Sequence, residues 1–240
     1  MVAVVIGASG TIGRACVAHF LEAGLSVVAI DVAEPAIDGV STMAMDVTRR
    51  ESVHEVLGSI DQSNQISALV YAAGLNTTGP LDALEWSDYE RVMAVNLQGA
   101  FHVAAEVEIL MTQAPRPLGA VFLSSTAGLR GEPGGSVYVA SKFGLRGLVE
   151  SFAGEIAPLG GRANTVCPGN VESTMLSALA EKFAERQGVT VTDVMKQLES
   201  SSAFNRLITP AEVANTCVWL CSDRASGISG QTVVVDGAPV

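Results

Sequence analysis

Cysteine and histidine are scarce in this 240-residue sequence, which limits the chemistry available to it. The four cysteines, Cys16, Cys167, Cys217 and Cys221, include no Cys-x-x-Cys pair. Cys217 and Cys221 share a predicted helical face, but none of the three histidines lies near them in sequence, so we expect no metal site. We expect free, buried thiols, as is typical of a chain in a reducing compartment.

Charge and long apolar runs are also in short supply. Charged residues make up 16% of the chain and hydrophobic residues 48%, which is typical of a globular rather than a disordered protein. The apolar runs, such as MVAVVI, are far shorter than the ~20 residues that span a membrane. No secretory leader is visible, so we expect a cytoplasmic protein without a membrane partner. The net charge of −11 disfavours nucleic acid as a partner, because a phosphate backbone attracts basic surfaces.

Short β-branched runs alternate with longer segments of helical periodicity along the whole chain. Strands are predicted at 2–6, 26–30, 41–45, 67–72, 119–125, 162–167 and 232–236. Helices are predicted at 11–24, 49–59, 86–113, 137–158 and 210–222. This alternation predicts an α/β fold of the Rossmann type, a doubly wound, seven-stranded parallel sheet with helices on both faces. Only about ten residues separate the second strand from the third, so the crossover helix there should be shortened or absent.

One long segment, residues 173–205, has weak strand character and interrupts the alternation. It contains two amphipathic pieces, MLSALAEKFAERQ and VTDVMKQLES. A long insertion beyond the carboxyl end of a strand is typical of an active-site lid. We therefore predict a single domain over 1–240, with a substrate lid around 173–205.

A glycine-rich segment, VVIGASGTIGRA, follows the first predicted strand and opens the first helix. Gly7, Gly10 and Gly13 allow a tight turn and let the backbone approach a pyrophosphate, which then meets the positive end of the helix. Three glycines alone also fit an ordinary tight turn. The order of strand, loop and helix, however, is the order that dinucleotide binding requires.

An acidic residue, Asp31, closes the second predicted strand, 18 residues after Gly13. Its carboxylate can accept hydrogen bonds from the adenosine ribose and would repel a 2′-phosphate. Neither Thr11 in the loop nor Val32 after the strand supplies a cation for such a phosphate, so the sequence predicts NAD rather than NADP. Asp46, after the third strand, fits either a hydrogen bond to the adenine amino group or an ordinary turn at a helix N-terminus.

A serine, a tyrosine and a lysine follow at spacings that suit proton transfer. Ser125 ends the fifth predicted strand, where α/β sheets bind ligands, and Tyr138 enters the next helix with Lys142 four residues on. That spacing puts the phenol and the ammonium on one helical face. A free phenol has a pKa of roughly 10, which a nearby cation lowers. The Tyr-x-x-x-Lys pair alone is more often an ordinary helical pair, but together with Ser125 and the glycine loop it predicts an active site.

Taken together, these segments resemble the short-chain dehydrogenase/reductase family over essentially the whole chain. The matching pieces are GASGTIG, DVT, AAG, VNLQGAF, SSTAG, YVASK, CPGNV and ISGQTVVVDG. The resemblance implies the strand order 3-2-1-4-5-6-7 and a homotetramer. It implies Tyr138 as general acid/base and Ser125 as the residue that positions the substrate. Lys142 would lower the tyrosine pKa and bind the nicotinamide ribose, and Asn96 would hold a water in the proton relay.

The resemblance also implies the contacts to the cofactor, which we expect to be NAD. The residues expected to bind it are Gly7, Ser9, Gly10, Thr11, Ile12, Gly13, Asp31, Asp46, Val47, Ala73, Gly74, Asn96, Tyr138, Lys142, Pro168, Gly169, Val171 and Ser173. The sequence departs from the family pattern at Tyr71 and Ala72, which replace two asparagines that frequently stand there. A hydrogen bond that usually stiffens this region is therefore in question.

The substrate pocket is expected between the segment 127–137, Asn170 and the lid. Besides Ser125, its expected lining is Leu129, Arg130, Val137, Asn170, Met175, Leu176, Leu179 and Phe183. The apolar majority predicts an NAD-dependent oxidoreductase acting on a small-molecule substrate, a hydrophobic or cyclic secondary alcohol or its ketone. Arg130 fits either a substrate carboxylate or a solvated loop position, which keeps open a 2,3-dihydro-2,3-dihydroxybenzoate-type dihydrodiol dehydrogenase. A 3-oxoacyl-thioester ketoreductase and a non-catalytic NAD-binding regulatory protein are further alternatives.

Overall fold

The computed structural model describes residues 1–237 and places all seven predicted strands in one parallel sheet. The strands are β1 (Val2–Ile6), β2 (Ser26–Asp31), β3 (Ser41–Ala44), β4 (Ile66–Tyr71), β5 (Leu118–Leu123), β6 (Gly161–Pro168) and β7 (Thr232–Val235). Their order in the sheet is β3-β2-β1-β4-β5-β6-β7. The predicted Rossmann-type α/β fold, its strand order and its single domain are confirmed.

Eight α-helices surround the sheet in the described part of the chain. They are α1 (Thr11–Glu22), α2 (Arg50–Ser63), α3 (Trp86–Met93), α4 (Gly99–Gln113), α5 (Ser136–Ile156), α6 (Thr174–Gln187), α7 (Val191–Ser200) and α8 (Pro210–Cys221). Residues 32–40, between β2 and β3, form no helix, as the short spacing predicted. The single helix predicted over 86–113 is wrong in one respect, because a π turn at Ala94–Gln98 separates α3 from α4.

Two apolar layers hold the sheet, one on each face. On one face α1 and α8 pack together, with Phe20 of α1 and Leu220 of α8 in the same buried cluster. On the other face α2, α4 and α5 supply side chains such as Leu57, Val107 and Phe152. Fully burying a side chain of this size stabilises the folded state by about 1.5–3 kcal/mol. The two layers cover both faces of the sheet, as the continuous apolar runs of its strands require.

The carboxyl edge of the sheet is where the fold positions a site. The order in which strands are added to the sheet reverses between β1 and β4, which are parallel neighbours although they are not consecutive in sequence. At such a switch point the loops that follow the two strands leave in opposite directions and open a crevice. The loops that follow β1, β4, β5 and β6 all begin at this edge, and they carry most of the residues singled out above.

Within residues 1–237, no helix combines the length and the apolar character needed to cross a membrane. The same part of the chain contains no cluster of three or more His, Cys, Asp or Glu side chains placed to hold a metal ion. The four cysteines are free thiols; Cys16, Cys167 and Cys217 are buried and Cys221 is half-buried.

Candidate active site

A cavity of about 170 Å³ lies at the carboxyl edge, between the loops after β4, β5 and β6 and the start of α6. Ser125 and Tyr138 line it together with Ile12 of the glycine loop. The predicted end of β5 is wrong by two residues, because the strand stops at Leu123. Ser125 instead precedes a short 3₁₀ turn, and its Oγ accepts a hydrogen bond from the backbone N–H of Ala127 at 3.2 Å. This turn fixes the serine backbone beside the cavity.

The surroundings of the Tyr138 phenol favour its protonated form. Burial raises the pKa of Tyr138 to about 12, although the hydroxyl of Ser125 acts to lower that pKa through hydrogen bonding. The negative charge of Glu132 acts in the same direction as burial. The free enzyme therefore holds a proton on this phenol at neutral pH.

Lys142 is buried beside Tyr138, and hydrogen bonds hold both its side chain and its backbone. Its Nζ donates to the carbonyl of Leu123 at 2.8 Å and lies 5.6 Å from the centroid of the Tyr138 ring. Its own backbone carbonyl accepts from the Ser124 hydroxyl at 3.0 Å. Burial lowers the pKa of Lys142 to about 8. The ammonium is thus fixed near the phenol, at the end of β5.

Asn96 lies in the π turn and is completely buried. Its Oδ1 accepts from the backbone N–H of Leu75 at 2.8 Å, and its Nδ2 donates to the Leu75 carbonyl at 2.9 Å and to Ser141 Oγ at 3.0 Å. The side chain therefore joins the loop after β4 to α5. Such single π turns within helices are frequent at functional sites, and here the turn brings Asn96 next to the helix that carries Tyr138 and Lys142.

Tyr71 explains how the structure tolerates the loss of the two asparagines that are frequent in the family. It is fully buried at the end of β4, and its hydroxyl donates to the carbonyl of Val95 in the π turn at 2.5 Å. Burial raises the pKa of Tyr71, so the phenol stays protonated and remains a donor. A Cβ on Gly99 would lie 2.6 Å from this hydroxyl, so a glycine is required there. The region is stiffened by a tyrosine.

The glycine loop has the tight geometry that its sequence predicted. Gly7 has φ +84°, and a Cβ there would lie 2.4 Å from the backbone N of Ala73. A Cβ on Gly13 would lie 2.1 Å from the carbonyl oxygen of Gly7. Helix α1 then begins after Gly10 without a side-chain cap, and Ser9 and Gly10 are exposed. The first amides of α1 are available to an anionic group, which fits the pyrophosphate of a dinucleotide.

Asp31 lies beside this loop at the end of β2. Its Oδ2 accepts from the backbone N–H of Ser9 at 2.9 Å, and its Oδ1 accepts from the backbone N–H of Val32 at 2.8 Å. Arg14 donates to the carbonyls of Ser9 and Ala36, so its guanidinium is already engaged. Asp46 accepts two hydrogen bonds from Thr48 through Oδ1, which is the ordinary turn considered for it above.

The remaining residues predicted to bind the cofactor lie along the same edge. Gly74 faces Lys142, since a Cβ there would lie 3.5 Å from Nζ. Pro168, Gly169, Val171 and Ser173 line the cavity, and the Ser173 hydroxyl caps α6 by accepting from Leu176 N–H. Val47 is buried under α4, where its carbonyl contacts His102 Nδ1 at 2.9 Å.

The predicted substrate residues are only partly brought together. Asn170, Met175, Leu176, Leu179 and Phe183 line the cavity. The Asn170 amide also donates to the Leu198 carbonyl and to Ser201 Oγ, which ties the loop after β6 to α7.

Three predicted pocket residues lie outside the lining of this cavity. Val137 is buried in α5, and Leu129 closes the 3₁₀ turn and is 38% exposed. Arg130 is exposed, and its charge acts on Asp236 instead. Sequence reasoning missed Asn76, Thr78 and Glu132, which do line the cavity. Only the position of Glu132 inside the expected pocket segment 127–137 could have pointed to it.

The fold and the glycine loop define a class of dinucleotide-binding enzymes, and Ser125, Tyr138 and Lys142 lie together at the carboxyl edge of the sheet. A family model described as "Enoyl-(Acyl carrier protein) reductase" matches residues 7–237. The 3-oxoacyl-(acyl-carrier-protein) reductase FabG of Thermotoga maritima is 31% identical over 100% of this chain and 97% of its own length. The 2,3-dihydro-2,3-dihydroxybenzoate dehydrogenase of Escherichia coli is 33% identical over 97% of this chain and 94% of its own length. The solved sorbitol-6-phosphate 2-dehydrogenase SrlD of Erwinia amylovora superposes with a TM-score of 0.93 at 27% identity, covering 100% and 99% of the two chains.

The chain belongs to the short-chain dehydrogenase/reductase family. It is an oxidoreductase that acts on CH–OH groups and binds a nicotinamide cofactor.

Proposed function

We propose that the chain is an NAD-dependent oxidoreductase that interconverts a small secondary alcohol and its ketone, with Tyr138 as general acid/base. The observation that carries the proposal is the placement of Tyr138 at the cavity, facing Ser125, with the Lys142 ammonium 5.6 Å from its ring.

The residues at the carboxyl edge fit a nicotinamide dinucleotide. The uncapped start of α1 and the exposed Gly10 suit the pyrophosphate, Asp31 suits the adenosine ribose, and Lys142 suits the nicotinamide ribose. The loop at Pro168 and Gly169 suits the nicotinamide end. When bound, the cofactor supplies the hydride acceptor or donor.

The protein's own part is to orient the substrate oxygen and to move its proton. Ser125 holds the oxygen near the phenol by hydrogen bonding. In the reducing direction Tyr138 donates the proton that burial keeps on it. In the oxidising direction the phenol must first lose that proton, which the charge of Lys142 favours. Asn96 is proposed to support a water relay from Lys142; its side-chain amide fixes the turn in which the relay would lie.

The pH dependence of kcat/KM should follow the protonation of Lys142. Because burial lowers its pKa to about 8, the free enzyme carries the ammonium below that pH and loses it above, while Tyr138 remains protonated up to about 12. We therefore expect kcat/KM for NADH, which reports the free enzyme, to be level below pH 8 and to decline above it. In Lys142→Arg, whose cation persists at all accessible pH values, the decline near pH 8 should disappear even if the rate is lower. A wild-type profile that stays level to pH 10 would contradict this assignment.

Asp31 should decide between the two nicotinamide cofactors. Asp31→Asn keeps an oxygen that can accept from Ser9 or Val32 but removes the charge that repels a 2′-phosphate. We expect the ratio of kcat/KM for NADP to kcat/KM for NAD to rise about tenfold or more, a change of about 1.4 kcal/mol. Asp46→Asn is the matched control, since Asp46 holds the turn at Thr48 and the loss of its charge should change kcat/KM for both cofactors equally. A wild-type enzyme that prefers NADP would contradict the proposal that NAD is the cofactor.

The substrate class is tested by a panel of secondary alcohols and ketones, assayed with NAD and with NADP. Cyclic and aryl alcohols should be oxidised with formation of NADH. The similarity to FabG favours a 3-oxoacyl-thioester ketoreductase as the second candidate, and 3-oxoacyl thioesters belong in the same panel. Tight NAD binding with no turnover of any compound would favour a non-catalytic binding protein.

We propose that α6 and α7, within residues 173–205, form the lid of this site. Arg186 of α6 donates to Thr78 Oγ1 at 3.0 Å, so the helix is fastened to the loop after β4 across the cavity. The hydrogen bonds of the Asn170 amide connect α7 to the loop after β6. A homotetramer stays a prediction from the resemblance. An apolar groove on α3, α4 and α5, lined by Met93, Leu97 and Phe101, would suit its helix packing.

A further inference from the structure

The cavity is lined by both polar and apolar side chains. Asn76, Thr78 and Thr126 supply amide and hydroxyl groups, and Leu179 and Phe183 of α6 supply apolar side chains. A ligand that fills this cavity therefore needs both apolar surface and hydrogen-bonding groups.

Among the described residues that line this cavity, Glu132 is the charged one, and it is negative. It stands in the loop between the 3₁₀ turn and α5, and it is exposed at the cavity mouth. Its charge reaches the reacting centre, because it is one of the causes that raise the pKa of Tyr138. A substrate oxygen held by that phenol lies in the same field.

The neighbouring cations form no ion pair with Glu132. No ion pair within residues 1–237 includes it. Arg186 reaches the same rim, but it donates to Thr78 and its guanidinium lies 5.1 Å from the centroid of the Phe183 ring. Lys182 lines an adjoining cavity, which also has Leu179 in its lining. Arg130 acts on Asp236 and lies outside the lining.

We propose that Glu132 selects substrates by charge, so that this site accepts alcohols whose remaining polar groups are hydroxyl, amide or ammonium donors and rejects alcohols that carry an anionic group near the carbinol carbon. A carboxylate or phosphate in the cavity would lie beside an unpaired carboxylate, whereas a hydroxyl or ammonium donor would find an acceptor there. The inference rests on the proposed alcohol and ketone chemistry of the same site. It argues against a carboxylated dihydrodiol as the substrate.

The test compares alcohols that match in shape and differ in charge. The set is 3-hydroxycyclohexanecarboxamide, 3-hydroxycyclohexanecarboxylate and 3-(aminomethyl)cyclohexanol, oxidised with NAD at low salt. In the wild type we expect kcat/KM for the amide to exceed that for the carboxylate about tenfold, and Glu132→Gln to narrow this ratio roughly three- to tenfold. The amine should lose efficiency in the same variant. Glu155→Gln, at an exposed position of α5 outside the cavity, is the matched control and should change neither ratio.

The proposed selection by charge would be overturned if the amide-to-carboxylate ratio of kcat/KM changed equally in Glu132→Gln and Glu155→Gln. It would also be overturned if the ratio were unchanged in Glu132→Gln. If none of the three alcohols is oxidised, the proposed chemistry on this class fails, and the inference is decided by binding. Calorimetric titration of the amide and the carboxylate into enzyme saturated with NADH should then show the preference for the amide in the wild type and its loss in Glu132→Gln. Equal affinities in the wild type would overturn the inference.

Discussion

Replacing Tyr138 with phenylalanine should lower kcat about a hundred- to ten-thousandfold while leaving NADH binding nearly unchanged. The substitution removes one oxygen from a side chain that lines the cavity, so the acid that supplies the proton is lost and the packing of the ring is kept. General acid/base groups contribute a factor of this size to a reaction rate. The measurement is kcat with any alcohol or ketone that the wild type accepts, together with the Kd of NADH from its fluorescence.

The matched control for this prediction is Tyr89→Phe. Tyr89 belongs to α3, stacks on Trp86 with ring centroids 4.7 Å apart, and does not line the cavity. Its variant should keep the wild-type rate. A Tyr138→Phe enzyme that retains more than about a tenth of the wild-type kcat would show that another group moves the proton.

Gly13→Ala should destabilise the free protein by about 1–3 kcal/mol, contrary to what helix propensity alone predicts. Gly13 is a helical position, where alanine is normally favoured by about 1 kcal/mol. Here the added Cβ would lie 2.1 Å from the carbonyl oxygen of Gly7 and 2.9 Å from Cα of Ala8. Both are backbone atoms of the turn that ends β1, so neither can move aside without opening the loop. Steric overlap should therefore outweigh propensity, and the affinity for NADH should fall as well.

Chemical denaturation of the protein without cofactor measures this effect directly. Gly147→Ala in α5 is the control, because a Cβ there meets nothing within 4 Å and the position is exposed. That variant should be unchanged or slightly stabilised. If Gly13→Ala is as stable as Gly147→Ala, the close approach of α1 to the loop is not a constraint, and the argument for the tight turn is wrong.

Much of the fold was predictable because local patterns and global topology agree. The apolar runs of β1, β2 and β4 to β6 and the missing helix between β2 and β3 depend on spacing that can be read along the chain. The π turn was not predictable, because it depends on a partner distant in sequence. Tyr71, at the end of β4, donates to the carbonyl of Val95, and no pattern around Asn96 signals that contact. The resemblance to the family supplied Asn96 as a functional residue; periodicity did not.

The candidate site was also only partly predictable from the sequence. The spacing of Tyr138 and Lys142 put both on one helical face, and the structure has Nζ 5.6 Å from the ring. The pocket lining was less predictable, because a loop residue's side-chain direction depends on its turn. Arg130 and Glu132 are two residues apart in one loop, yet only Glu132 lines the cavity. The sequence pattern did not distinguish these two positions.

The pairing of α1 with α8 has a consequence for how the chain folds. The first helix buries Cys16, Val17 and Phe20 in a cluster completed by Val213 and Leu220, about two hundred positions later. An N-terminal fragment emerging during synthesis therefore lacks the cover for its own first helix. Contacts this distant in sequence slow folding, because the intervening loop must be closed before they form. We expect the chain to acquire its full stability late, and shortened chains that lack α8 to expose an apolar face prone to aggregation.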